Sequence, residues 1–422
     1  MYALVDVNNF YVSCEKVFNP KLEGKPVIIL SNNDGCIISR SDEAKALGLK
    51  MAEPAFNKKK YLRENNVQVF SSNYTLYGDM SNRITQVLKS FSPRIEIYSI
   101  DESFLELPDS QIVKLNRIGV EIKKKIRKDI GVHVSVGISK TKALAKIANK
   151  IAKRERQYKG VCTLNTSRDI DCALRNTRIE DVWGIGRQYQ KFLKYNEIRT
   201  AHDFITINDN WIRKNLTVVS LRLKKELQGI SCIPLETMLP TKKAIATTRG
   251  FGKIVTNVKY LKEAVSTYAT RCSEKLRRQH SVANILTVFI HTDPFSSEKY
   301  HYLSKTIHLD VPTNNQLELV KYALKGLKTI YRSDLKYKKA GVIVSGLETA
   351  NNIQKGLFYN SDIITGKLIS EVTDHINRKY GRDKIKLAIQ GDGKEWKLKQ
   401  DMLSGKYTTQ WSDIIRIMSY EL

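Results

Sequence analysis

Cysteine is scarce in this sequence and never paired at short spacing. The six in 422 residues (Cys14, Cys36, Cys162, Cys172, Cys232 and Cys272) are scattered and form no CxxC motif. That excludes a disulfide scaffold and the usual zinc modules, and it fits a reducing cytosol. Long apolar runs are missing as well. The longest nearly unbroken one, Val282 to Ile290, is half of what a membrane span requires. Met1-Tyr2-Ala3-Leu4-Val5-Asp6 lacks the basic and apolar regions of a secretory signal. No internal repeat or low-complexity tract appears. Acidic residues are in deficit: 43 Asp and Glu stand against 71 Lys and Arg, a formal charge of +28. With 41% hydrophobic residues the chain buries ordinary cores, so it is not a disordered basic tail. A folded basic chain of this kind meets a polyanion, nucleic acid before a membrane surface, since no strongly amphipathic basic anchor helix is present. The expected location is the cytoplasm, at the nucleoid when working, with no membrane partner.

The length allows two to four domains at ~150 residues each. Residues 1 to 165 alternate strand and helix patterns. Ala3–Val7 and Pro26–Leu30 are short apolar runs. Ile95–Leu107 reads as a hairpin with Asp101-Glu102 near its turn. Leu115, Ile118, Ile122 and Ile126 have helical spacing, and Val132–Ile138 is another strand. Strand–helix–strand–strand–helix–strand is the ferredoxin-like order. Thr141 to Ile151 is a helix with an apolar stripe and a lysine stripe, Lys142, Lys146 and Lys150. The lysines fit a solvated face and a ligand-binding face equally well. Residues 166 to 235 are small and helical. Val182-Trp183-Gly184-Ile185-Gly186 followed by a helix has helix–hairpin–helix form, in which glycines let a backbone turn approach a phosphate. A linker with Pro234 and Pro240 precedes a block from 242 to 345 that carries 19 Lys and Arg against 7 Asp and Glu, about +12. Its pattern predicts a strand over 253–258, a helix near 260–279 and a strand over 284–292. The charge suggests a second nucleic-acid-binding domain. Residues 350 to 422 read as a polar connection and a small C-terminal unit.

In so basic a chain, carboxylates on apolar strands stand out. Asp6 ends the first strand, and a ferredoxin-like sheet sets that strand beside the hairpin bearing Asp101 and Glu102. Clustered like charges are costly unless cations neutralise them, and carboxylate oxygens suit Mg²⁺. Two such ions would clamp an in-line phosphoryl displacement. No His/Cys cluster competes for a transition metal, and no Walker-type phosphate loop is present.

Asp6-Val7-Asn8-Asn9-Phe10-Tyr11, Tyr98-Ser99-Ile100-Asp101-Glu102-Ser103-Phe104 and Gly137-Ile138-Ser139-Lys140-Thr141-Lys142-Ala143-Leu144-Ala145-Lys146 resemble the Y-family translesion DNA polymerases, of the type of the UmuC catalytic subunit of bacterial DNA polymerase V. Leu30-Ser31-Asn32-Asn33-Asp34-Gly35-Cys36, Ser71-Ser72-Asn73-Tyr74 and Met402-Leu403-Ser404-Gly405-Lys406-Tyr407-Thr408-Thr409 extend the resemblance along essentially the whole chain. It implies an α+β multidomain right hand. The parts are a ferredoxin-like palm (1–30 and 73–165), small fingers (31–72), a helix–hairpin–helix thumb (166–235), an α/β little finger (242–345) and a C-terminal tail (350–422).

The resemblance further implies that Asp6, Asp101 and Glu102, with the Val7 carbonyl, hold two Mg²⁺ ions, Mn²⁺ being a substitute. Tyr11 resembles the steric gate against a ribose 2′-OH; a core aromatic closing the palm is the alternative for it. Triphosphate contacts fall on the Asn9–Phe10–Tyr11 backbone, Ser39, Lys45 and Lys146. Archaeal relatives have a Tyr and an Arg where Asp42 and Lys45 stand, and a lysine offers a point charge where an arginine offers a fork. DNA contacts fall on Gly184, Gly186 and Arg249. Gln354, Leu357 and Phe358 fit the QxxLF pattern by which bacterial polymerases dock on the β sliding clamp. The implied activity is error-prone, template-directed addition of dNTPs to a primer 3′-OH in DNA damage bypass, on primer–template DNA and alongside a UmuD-type accessory subunit. The alternatives are a catalytically inactive DNA-binding or scaffolding relative, or another two-metal palm enzyme such as a nucleotidyl cyclase.

Overall fold

The computed structural model describes residues 1–238, 240–350, 363–392 and 395–415. The chain forms two compact units, one of Met1–Leu30, Cys36–Leu239 and Met402–Leu422, the other of Ser31–Gly35 and Pro240–Asp401.

In the first unit the order is β1 (Tyr2–Val7), α1 (Phe10–Phe18), β2 (Val27–Leu30), β3 (Ile37–Arg40), α2 (Asp42–Ala46), α3 (Lys59–Glu64), β4 (Gln68–Ser71), α4 (Tyr74–Lys89), β5 (Ile95–Ile97), β6 (Glu102–Glu106), α5 (Ile112–Ile130), β7 (Val134–Ser139), α6 (Lys142–Arg154) and β8 (Val161–Leu164). Five helices follow: α7 (Ser167–Asn176), α8 (Arg187–Tyr195), α9 (Ala201–Thr206), α10 (Asp209–Asn215) and α11 (Val218–Leu227). The main sheet runs β5-β6-β1-β7-β8, antiparallel except for the last pair. Its first four strands have the expected ferredoxin-like arrangement, with the Asp101-Glu102 hairpin beside β1. Alternation sorts the faces. Ala3, Val5, Val7, Leu105, Val136 and Ile138 join a core with Leu76, Met80, Ile84 and Leu88 of α4 and Leu115, Ile122 and Ile126 of α5. Leu4 and Phe104, on the opposite face, meet Ala145 of α6.

Helix α6 lies unusually close to this sheet. A Cβ on Gly137 would stand 2.1 Å from the Asn149 backbone nitrogen and 2.4 Å from the Ala145 carbonyl oxygen, so only glycine fits there. Buried Asn149 ties the helix down, its Nδ2 donating to the carbonyls of Leu4 (3.2 Å) and Ser135 (2.8 Å).

Val27–Leu30 pairs with β3 and β4 in a separate three-stranded sheet, β3-β2-β4. It is therefore not a strand of the main sheet, although Val27 and Ile29 pack into that sheet's core. All four of its residues are buried; an unbroken apolar strand carries no mark of the sheet that receives it.

The second unit contains β9 (Ala244–Val255), α12 (Val258–Arg278), β10 (Ser281–Thr292), β11 (Tyr302–Thr313), α13 (Gln316–Ile330), β12 (Tyr337–Thr349) and α14 (Ile363–Lys379). Its antiparallel sheet runs β11-β10-β12-β9, and both α12 and α13 contribute to its single core. The strand expected over 253–258 in fact begins at Ala244. It ends at Val255, because Asn257 caps α12 through its side chain. Among the described residues, those after 350 form no separate core. Leu387 and Trp396 pack on the second unit's core, and Tyr407 packs on that of the first. Arg277 grips Asp374 of α14 through two nitrogens, at 2.6 and 2.7 Å.

Candidate active site

The register of two strands sets the acidic site. Asp6 is the direct cross-strand partner of Glu102 on antiparallel β1 and β6, which puts their side chains on one face of the sheet. One residue earlier, the Asp101 carbonyl accepts the Val7 N–H at 3.0 Å. Ser99 shapes the turn: its hydroxyl donates to Asp101 Oδ1 (2.6 Å) and accepts from the Glu102 N–H (3.1 Å). Asp6 and Glu102 therefore share one face of the sheet, with the Asp101 backbone beside them.

The partners of these acids come from α6. Lys146 Nζ lies 2.9 and 3.0 Å from the two carboxylate oxygens of Glu102, and Lys153 Nζ lies 2.6 Å from Asp6 Oδ1. Lys150 pairs with Asp181, and Lys142, 1% exposed, pairs with the buried Glu96. The lysine stripe is thus no solvated face; every member has a carboxylate. Lys153 continues the repeat to i+11 and is the site residue that the sequence reading omits. Lys146 also stands over the rings of Tyr98 (4.4 Å), Trp183 (5.6 Å) and Phe104 (5.8 Å), a cation–π setting.

Burial pushes the Asp6 carboxyl up to about 6. The Lys153 ammonium pulls it down, and the neighbouring Glu102 and Asp101 push it up again. Desolvation outweighs the ion pair. Among the described residues, no three His, Cys, Asp or Glu side chains converge into a ready ion cage; Asp6 and Glu102 turn to lysines instead. The donors are hard carboxylate oxygens, and a bound divalent cation would offset the burial that lifts Asp6, so the residues fit a hard divalent cation.

Beside this face begins α1. Asn9, in the left-handed region at φ 49°, precedes the helix, and its Nδ2 donates to Asp42 Oδ1 at 3.1 Å. Phe10 is buried and Tyr11 half-buried. The Tyr11 ring stacks on that of Tyr77 (centroids 4.5 Å, 21°) and meets Tyr74 edge-on at 6.0 Å. Ser39 lies under the same helix start, with its Oγ 3.5 Å from both the Val12 nitrogen and the Asn9 carbonyl oxygen. Lys45 is exposed and pairs with Asp42 at 2.8 Å. Asp42 thus links Lys45 to Asn9, and the nucleotide-binding candidates Asn9, Phe10, Tyr11, Ser39 and Lys45 share one locality.

The Gly184-Ile185-Gly186 turn leads directly into α8. Gly184 takes φ +88°, and Gly186 caps α8. Trp183 donates from Nε1 to the Tyr98 hydroxyl (3.0 Å), joining this turn to the segment that leads into Asp101-Glu102. Arg249 is exposed on β9 opposite Ala340, in the second unit. Gln354, Leu357 and Phe358 lie outside the described residues. No helix among the described residues is long and apolar enough to cross a membrane.

Comparison with known proteins identifies the family and the fold. Residues 5–150 match the impB/mucB/samB family model, residues 242–357 its C-terminal domain, and residues 368–417 a domain of unknown function, DUF4113. The chain is 42% identical to protein UmuC of Salmonella typhimurium over 99% of its own length and 100% of that protein's. Against DNA polymerase IV of Alkaliphilus oremlandii the identity is 25%, over 91% of this chain and 97% of that one. Among solved structures, a Y-family DNA polymerase chimera of Dbh and Dpo4 superimposes with a TM-score of 0.66 at 21% identity, covering 82% of this chain and 98% of the other. A ternary complex of Dbh DNA polymerase gives 0.55 with the same coverage. These two likenesses establish a shared right-hand α+β fold.

Proposed function

The chain belongs to the impB/mucB/samB family, and we propose that it is a template-directed DNA polymerase of the error-prone translesion type. The observation that carries this reading is the pairing of Asp6 with Glu102 across β1 and β6, Asp101 at the adjoining turn, in a chain 42% identical to UmuC over its whole length. The primer 3′-OH loses its proton and attacks the α-phosphorus of a dNTP; a new P–O bond forms, the bond to the β-phosphate breaks, and pyrophosphate leaves.

Asp6, Asp101 and Glu102, with the Val7 carbonyl, would hold two Mg²⁺ ions. When bound, these supply Lewis acidity to the attacking hydroxyl and neutralise the leaving group. The start of α1 offers backbone N–H groups to the triphosphate. Lys146, half-buried beside Glu102, exchanges that carboxylate for the triphosphate. Ser39 and Lys45 flank the same helix start. Tyr11, braced by Tyr77, lies under the incoming sugar and excludes a 2′-OH. The three-stranded unit of β2 to β4 is small, so the nascent pair is loosely enclosed and damaged templates are accepted.

The hairpin at Gly184 and Gly186 and the basic second unit with Arg249 hold primer–template DNA through phosphates. Gln354, Leu357 and Phe358 anchor the chain to the sliding clamp, two apolar plugs and an amide filling a shallow pocket. A UmuD-type subunit completes the working complex. A nucleotidyl cyclase shares the acid logic but has no use for the hairpin or for about +12 charges on one accessory domain.

The test is primer extension with Mg²⁺ and dNTPs on a primed template, by the chain alone and with its accessory subunit. Products must follow the template base. Their absence in both mixtures, with DNA bound, would mark a binding protein that has lost catalysis.

A further inference from the structure

Two motifs more than 300 residues apart, Ser71-Ser72-Asn73-Tyr74 and Met402–Thr409, meet in the first unit. The Met402 carbonyl accepts the Ser71 N–H (2.9 Å), and the Met402 N–H donates to the Ser71 hydroxyl (3.0 Å). Asn73 is divided between two tasks. Its Oδ1 caps α4 by accepting the Leu76 N–H (3.2 Å). Its Nδ2 donates to the Ser404 hydroxyl at 2.9 Å and to the Gly405 carbonyl at 3.1 Å. The Ser404 hydroxyl donates in turn to Glu15 Oε1 (2.9 Å). That same oxygen accepts the Tyr77 hydroxyl at 2.7 Å. The Tyr407 ring stacks on Phe18 at the end of α1 (4.9 Å, 12°).

Glu15 is 2% exposed and Tyr77 fully buried. A buried carboxylate is tolerated only when donors satisfy it, and here two hydroxyls converge on one oxygen. Burial holds the Glu15 carboxyl above the ordinary range while both hydroxyls pull it back. The Tyr77 ring, fixed at its hydroxyl end by Glu15, is the surface on which Tyr11 stacks. A chain of contacts therefore runs from Asn73 and Ser404 through Glu15 and Tyr77 to Tyr11.

We propose that the segment Met402–Tyr407 is a positioning element for sugar selection, with Ser404 acting through Glu15 and Tyr77 to hold the Tyr11 ring. This rests on Tyr11 being the sugar gate. The segment lies within the DUF4113 match, and the proposal gives that part of it a task. Ser404 touches no substrate. Its loss leaves Glu15 one donor short and frees the ring beneath Tyr11, so discrimination suffers more than turnover.

The experiment measures kcat/KM for dNTP and rNTP incorporation by the full chain carrying Ser404→Ala, Ser404→Thr, Tyr77→Phe or Tyr11→Ala, with melting followed alongside. Ser404→Ala and Tyr77→Phe should each lower the dNTP-to-rNTP ratio by about three- to tenfold, the effect of one hydrogen bond. The change should appear mainly as a lower KM for rNTP. Ser404→Thr, which keeps the hydroxyl, should restore the ratio, and Ser404→Ala should add nothing in a Tyr11→Ala background. If Tyr11→Ala relaxes the ratio while Ser404→Ala and Tyr77→Phe stay within twofold of wild type, the tail is only structural and the proposal falls. If Tyr11→Ala itself leaves the ratio unchanged, the gate assignment fails and takes the proposal with it.

Discussion

Lys146 reaches Glu102 with its ammonium 2.9 and 3.0 Å from the two carboxylate oxygens, and Lys153 does the same for Asp6 at 2.6 Å. Both lysines come from one face of α6, held against β7 by the missing Cβ of Gly137. The palm therefore carries its own counter-charges. A divalent cation held by these carboxylates would have to compete with the ammonium groups for the same oxygens.

Lys146→Met should separate two effects. Without the competing ammonium, metal alone binds the DNA-free protein more tightly, by about two- to fivefold for a partly buried pair. The KM for dNTP should rise about tenfold, because a charge-assisted contact to the triphosphate is lost. Calorimetric titration with Mn²⁺ and steady-state incorporation read the two. Weaker metal binding in the variant would contradict the competition.

Asp6 gives a pH signature. Its carboxyl holds its proton up to about 6 in the folded protein, whereas the unfolded chain releases it near 3.8. Between those values the native state binds more protons, so stability falls as pH rises. Denaturation without divalent cation should show wild type losing up to ~3 kcal/mol relative to Asp6→Asn from pH 4 to 7. The difference should be flat above that window. A wild type that gains stability over the same range would mean that Lys153 outweighs burial.

Glu96 and Lys142 form the buried pair behind the site. Glu96 is 6% exposed and also accepts the Glu236 N–H at 2.7 Å; Lys142 donates to the Pro234 carbonyl at 2.8 Å. Glu96→Ala leaves a buried ammonium uncompensated and should cost about 3 kcal/mol or more. The double variant Glu96→Ala/Lys142→Met should cost less than the sum of Glu96→Ala and Lys142→Met. Chemical denaturation of the three proteins measures the coupling, and strict additivity would show that the pair is not coupled.

Much of this was legible in the residues, for reasons that can be named. Alternation along Ile95–Leu107 places Asp101-Glu102 at a turn, and the ferredoxin-like order brings β1 alongside it. Together they bring Asp6 to Glu102. The lysine repeat was visible, but its partners were not. Asp6, Glu96, Glu102 and Asp181 lie on other elements, and only the close approach at Gly137 decides which of them each lysine meets. Val27–Leu30 is apolar throughout and so carries no sign that it belongs to the small sheet. The junction of Asn73, Ser404 and Glu15 joins three distant segments through short polar side chains. No local periodicity announces such a contact.

The most direct measurement is single-nucleotide incorporation at saturating Mg²⁺ by wild type, Asp101→Ala and Glu102→Ala, with primer–template affinity determined for each. Both variants should bind DNA within about twofold of wild type, because the basic surfaces that meet phosphates are untouched. Both should lose a hundredfold or more in incorporation rate, roughly the effect of deleting a ligand to a catalytic ion. Incorporation by either variant near the wild-type rate, with DNA bound, would contradict the assignment of these carboxylates to nucleotidyl transfer.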